Sequence, residues 1–153
     1  MSATTENVRI TFRGEYDFGM DDKRRVQIPA KWRPAEGVAF LVLVWRASDQ
    51  KHPCLLVLPP HTARKLDEKL EAMPFGDPKA EALRRLLWGD SDEVTVDSAG
   101  RICLPDKLAG KAGLGKKVML VGLGDRFQIW NQEHYGETRT VDEVVRADAI
   151  KMI

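Results

Sequence analysis

The sequence has little of what most readily classifies a small protein. Only two of its 153 residues are cysteine, too few for a disulfide framework. Together with three histidines they show no paired C-x-x-C spacing, so no metal site is expected. The longest apolar run, Val38 to Trp45, is eight residues, against the roughly 20 that a membrane helix requires; no membrane contact is expected. The opening residues, MSATTENVRITFRGEY, lack a basic segment followed by an apolar one, which makes the cytoplasm the expected compartment. Charge of one sign is also lacking: 24 Lys and Arg against 23 Asp and Glu leave a net charge of +1. Binding to a polyanion must then come from a local patch, not from a whole-molecule field. What is present, 43% hydrophobic and 31% charged residues, describes a globular chain with a core to bury. Its length suits one ordinary domain or two very small ones.

A repeat organises the chain. Asp21-Asp22-Lys23-Arg24-Arg25-Val26-Gln27-Ile28-Pro29-Ala30-Lys31 and Asp97-Ser98-Ala99-Gly100-Arg101-Ile102-Cys103-Leu104-Pro105-Asp106-Lys107 superpose 76 positions apart. The shared aspartate, arginine, apolar alternation, proline and lysine at one register read as a duplication. Each copy predicts a strand, an Asp-led turn, a short second strand stopped by proline, a short helix and a hairpin. The hairpins are Val38–Trp45 with Cys54–Leu58, and Lys117–Leu123 with Arg126–Trp130 across Gly124-Asp125. Ile10 to Phe18 is the expected first strand. Helices are expected from Pro60 to Met73 and from Asp77, as N-cap, to Gly89 as a C′ glycine. The expected division is 10–76 for the first half, 77–135 for the second and 136–153 for a partly helical tail in which Gly136 is a weak point.

The first turn is locally basic. Lys23, Arg24, Arg25, Lys31 and Arg33 occur within eleven residues that contain no acid. Arginine offers a planar fork that suits guanine edges or phosphate, and lysine a point charge for phosphates; a plain solvated face is the competing interpretation. The turn-opening Asp21 and Asp97 are expected to accept backbone N–H hydrogen bonds rather than to do acid–base work. Gly100 suits a left-handed backbone. Arg24 holds that place in the first copy at a cost of roughly 1 kcal/mol, unless the first turn has another geometry.

Enzymatic chemistry finds no support in these residues. His52 and Cys54 share a strand face but have no third group to orient the histidine, and Cys54 in an apolar run reads as packing. Cys103, between Ile102 and Leu104, falls on the opposite strand face. Gly122-Leu123-Gly124 precedes a strand rather than a helix, unlike a phosphate loop. No catalytic residue, cofactor or small-molecule substrate is expected.

Both turns, with Gly14-Glu15-Tyr16, His52-Pro53-Cys54-Leu55, Arg85-Leu86-Leu87-Trp88-Gly89, Ala112-Gly113-Leu114, Val118 to Gly122 and Phe127-Gln128-Ile129-Trp130, make a pattern that resembles the bacterial MraZ family from about Arg13 to Tyr135. The match includes both D-x-x-G-R signatures, with Arg24 in place of the first signature glycine. The resemblance implies a mostly β, α+β chain related to AbrB and MazE-type proteins, its two halves intertwined in a swapped-hairpin, double-split β-barrel. It implies a transcriptional regulator, generally a repressor, that binds repeated boxes of double-stranded DNA in the promoter of a division and cell-wall gene cluster. It further implies a nucleoid-associated homo-oligomeric ring larger than a dimer. Arg25 matches the family's DNA-contacting arginine and Lys23 a basic motif position, whereas Arg101 in the second copy could face DNA or a subunit interface. An antitoxin-like protein whose tail binds a partner protein is the alternative.

Overall fold

Runs of alternating apolar residues build eight strands, and the computed structural model, which describes residues 9–153, shows how they pair. Residues 1–8 of the opening segment, read above for a secretion signal, lie outside the described residues. The strands are β1 (Glu15–Gly19), β2 (Arg25–Gln27), β3 (Ala39–Trp45), β4 (Cys54–Leu58), β5 (Ser91–Thr95), β6 (Arg101–Cys103), β7 (Lys117–Gly122) and β8 (Phe127–Asn131). The helices are α1 (Pro60–Glu71), α2 (Pro78–Trp88), α3 (Asp106–Lys111) and α4 (Gln132–Ala149), with 3₁₀ turns at Ala30–Trp32 and Ile150–Met152.

Six strands form one antiparallel sheet in the order β1-β7-β8-β4-β3-β5, and β2 pairs with β6 in a separate ribbon. The pairing interleaves the two copies of the repeat. β1 of the first copy lies against β7 of the second, and β5 of the second lies against β3 of the first. Val26 pairs with its own counterpart, Ile102, so an approximate two-fold axis runs through the ribbon. The architecture is α+β and mostly antiparallel. The sheet is open, with β1 and β5 as unjoined edges, and no closed barrel forms among the described residues.

Period-2 alternation sorts the side chains into two layers. The inner face of the sheet, including Phe40, Val42, Leu55, Val57, Val118, Leu120, Phe127 and Ile129, packs with Val26 and Ile102 of the ribbon and Leu108 and Ala109 of α3. Its centre is aromatic: Trp32 stands 4.9 Å from Phe127 and 5.5 Å from Phe12, ring centre to ring centre. The outer face is covered twice. Leu43, Leu56 and Leu58 meet Leu70 of α1 and Leu87 of α2, while Cys54, Val121 and Trp130 meet Tyr135 of α4. With both faces covered, every residue of β4 is buried.

Three elements differ from expectation. The first strand starts only at Glu15, because Gly14 turns the chain at φ 101° after Phe12 bridges to Gly124. Gly89 ends α2 in the right-handed region at φ −65°, not as a left-handed cap; a Cβ there would run into the carbonyl oxygen of Arg85, and that close approach is what calls for glycine. The tail is one continuous helix that begins at Gln132, passes through Gly136, and is capped by Asn131 Oδ1 accepting from the backbone N–H groups of Glu133 and His134. Among the described residues no helix is long and apolar enough to cross a membrane.

Candidate nucleic-acid interface

Each Asp-led turn is held by one carboxylate. Asp21 Oδ1 accepts from the backbone N–H groups of Lys23 (3.0 Å) and Arg25 (2.8 Å), and its Oδ2 accepts from Arg25 Nε at 2.6 Å. Asp97 repeats the arrangement with Ala99 (2.9 Å), Arg101 (2.9 Å) and Arg101 Nε (3.2 Å). Backbone N–H donation, that of Arg25 or Arg101 foremost, keeps both carboxyls below their ordinary range. The ionised form of both aspartates is thereby favoured, and each fixes the direction of the arginine at the end of its turn.

That arginine opens a strand of the ribbon. Val26 and Ile102 are fully buried, so the residues flanking them, Arg25 and Gln27 on β2 and Arg101 and Cys103 on β6, share the opposite, outward face. Antiparallel pairing sets Arg25 across from Cys103 and Gln27 across from Arg101. The Nη groups of both arginines have no hydrogen-bond partner among the described residues. Two oriented forks with open outer edges thus lie diagonally across one two-stranded ribbon.

The period-2 position of Gln27 and Cys103 was the only sequence signal for a role that they turn out to share. Gln27 Nε2 donates to the carbonyls of Ala99 and Gly100, both at 3.2 Å, and Cys103 Sγ donates to that of Lys23 at 3.3 Å. Ala99 and Lys23 are counterparts in the repeat, so each strand pins the opposite turn. Ile28 N–H donating to Gly100 O and Leu104 N–H to Arg24 O, each at 2.9 Å, tie the same corners again.

The remaining basic residues divide. Lys23 and Lys31 are exposed and make no ion pair among the described residues. Arg24 takes the left-handed conformation at φ 60°, as Gly100 does at φ 82°, so the two turns share one geometry. Its side chain leaves the ribbon face for Asp106 at the start of α3, Nε to Oδ1 3.4 Å. Arg33 is also engaged: its Nε donates to Ile28 O at 2.9 Å and its guanidinium lies over Gly100. Lys23, Arg25 and Arg101 thus gather at the ribbon, Lys31 lies exposed on the 3₁₀ turn, and Arg24 and Arg33 buttress the turns. No group of three or more His, Cys, Asp or Glu among the described residues is placed to hold a metal.

Comparison with known proteins adds independent information. Residues 87–143 match the family model described as "MraZ protein, putative antitoxin-like". A protein of Carboxydothermus hydrogenoformans named "Transcriptional regulator MraZ" is 40% identical over 122 residues, covering 80% of this chain and 82% of the relative. Proteins of the same name from Heliobacterium modesticaldum and Coxiella burnetii are 36% and 38% identical over 82% and 84% of this chain and 85% and 84% of their own lengths.

Proposed function

The chain belongs to the MraZ family, and from that premise we propose that it is a DNA-binding transcriptional regulator, not an enzyme, which reads double-stranded DNA with the β2–β6 ribbon. One observation carries the assignment of the site: Arg25 and Arg101, each oriented by its own aspartate, on the outward face of a ribbon narrow enough for a major groove. Exposed Lys23 on the first turn and exposed Lys31 on the 3₁₀ turn supply phosphate contacts, setting register rather than sequence. Arg24 and Arg33 contribute through the shape of the turns.

The finer form of the proposal is a repressor of a division and cell-wall gene cluster that binds repeated promoter boxes as a nucleoid-associated ring of several subunits. The exchange of β1 and β5 between copies supports a swapped-hairpin arrangement in which 10–76 and 77–135 are the intertwined halves. A gel-shift titration at fixed salt tests the site. Arg25→Ala should weaken specific binding by about 1–3 kcal/mol per engaged subunit and relax the base preference, whereas Lys31→Ala should weaken all sequences alike. Parental affinity and preference in Arg25→Ala would remove the ribbon from the role. Recovery of a stoichiometric small protein in place of promoter DNA would favour the antitoxin-like alternative.

A further inference from the structure

Phe75 is the most exposed aromatic side chain among the described residues, at 98%. It stands between Pro74 and Gly76 in the α1–α2 connection, with Glu71 and Asp77, both exposed, on either side and Lys79 beyond. None of the described residues covers it. On the other flank of α1 a groove of about 330 Å³ opens between that helix and the outer face of the sheet. Its walls are apolar, from Trp45, Leu58 and Leu66, and its rim carries Lys65 and Lys69, with Arg126 paired to Asp125 at 2.7 Å. One chain thus carries both an aromatic knob with acidic shoulders and an apolar groove with a basic rim, and the knob is not among the residues that line the groove.

We propose that Phe75 of one copy seats in this groove of the next copy. The contact joins two different patches and is therefore heterologous: every subunit keeps one free knob and one free groove, and the chain of contacts either closes into a ring or continues as a filament. Aromatic side chains bury roughly 150–250 Å² when they dock, and the opposite charges around knob and groove fix the register and penalise wrong partners. The inference rests on the assembly described under the proposed function, and it specifies the surfaces that build it.

Sedimentation of the full chain at micromolar concentration tests it with two surface variants. Phe75→Asp should reduce the parental oligomer to a species of about 17 kDa. Lys69→Glu/Arg126→Glu should do the same, because it sets carboxylates against Glu71 and Asp77 of the neighbour. Mixing the two variants should produce a species of twice the monomer mass and nothing larger, since one intact knob meets one intact groove. A monomeric parent would overturn both the assembly and this inference. An oligomeric parent whose mass is unchanged by Phe75→Asp would overturn this inference alone, and dissociation by Val144→Asp instead would assign the interface to α4.

Discussion

Position 100 shows how a single residue is tied to its surroundings by two constraints at once. Gly100 has φ 82° and lies beneath the guanidinium of Arg33; its counterpart Arg24 has φ 60° and directs its own guanidinium to Asp106. One arginine lies against each turn, supplied by position 33 in one copy and position 24 in the other. Gly100→Ala should therefore cost about 1–2 kcal/mol from backbone strain and the displaced Arg33. Adding Arg33→Ala should recover part of the loss, since the two positions are in contact. Arg24→Gly, which relieves strain without a clash, should change stability by less than about 1 kcal/mol. Equal losses for Gly100→Ala and Arg24→Gly in chemical denaturation would contradict this account. The aspartates give a pH signature with a definite sign. A carboxyl whose folded pKa is depressed stabilises above its unfolded value, near 3.9, and loses that contribution as pH falls through the folded value. Asp21→Asn and Asp97→Asn should accordingly melt below the parent at neutral pH, with the gap narrowing as pH falls below the unfolded value and through the lowered folded one; a gap that acidification left unchanged would place the aspartates' contribution elsewhere.

Helix α4 illustrates what an element owes to its contacts. Glycine in a helix interior costs roughly 0.5–1 kcal/mol relative to alanine, which is why Gly136 reads as a weak point, yet the helix runs through it. Three attachments hold this stretch. Tyr135 is buried against Trp130, with ring centres 5.9 Å apart, and its hydroxyl donates to Glu15. Glu137 accepts from Lys51 at 3.1 Å and pairs with His52 Nε2 at 2.6 Å. His134 stacks on His52 with ring centres 3.8 Å apart. Burial and the Glu15 hydrogen bond push the Tyr135 phenol well above its usual range, so this contact persists through any physiological pH. A Cβ at position 136 would meet nothing within 4 Å, so Gly136→Ala should stabilise the protein by about 0.5–1 kcal/mol in thermal melts. A loss would mean that the backbone there is more closely approached than its geometry indicates. Gly89 differs, because its constraint is local: its sequence context suggests a left-handed cap, whereas the close carbonyl of Arg85, one turn earlier in α2, requires only the absence of a side chain.

At the scale of the whole molecule, the chain's near-zero net charge means that, on the proposed function, affinity would depend on how many ribbons engage at once. One subunit would present one or two arginine forks to a box. The proposed assembly would present several, and a second box bound by the same particle would be captured at high effective concentration. Two correctly spaced boxes should bind about 10²-fold more tightly than one, with a steep fall as salt rises and phosphate counterions are released. Equal affinity for one and two boxes, in titrations at fixed salt, would mean that subunits act separately. The core sets the corresponding stability limit: Trp32, Phe12, Phe40 and Phe127 form one aromatic cluster that packs with Val26 and Ile102 of the ribbon, so packing of the sheet and positioning of the ribbon's outward face are inseparable.

Local chemistry determined much of this protein. Asp, Gly and Pro at fixed offsets specify the turns, period-2 apolar runs the strands, and Asp77-Pro78 the start of α2, because backbone sterics and capping depend only on near neighbours in the chain. The repeat of Asp21–Lys31 in Asp97–Lys107 exposed the pseudo-symmetry, and the basic run from Lys23 to Arg33 marked the region of the candidate site. Tertiary structure decided the rest. Which copy's strand pairs with which depends on contacts between residues far apart in sequence, and no local preference encodes it. For the same reason Arg24 and Arg33, alike in composition to Arg25, were separated from it only when Asp106 and Gly100 came into reach, and Gln27 and Cys103 acquired their shared role only when the ribbon placed each beside the opposite turn.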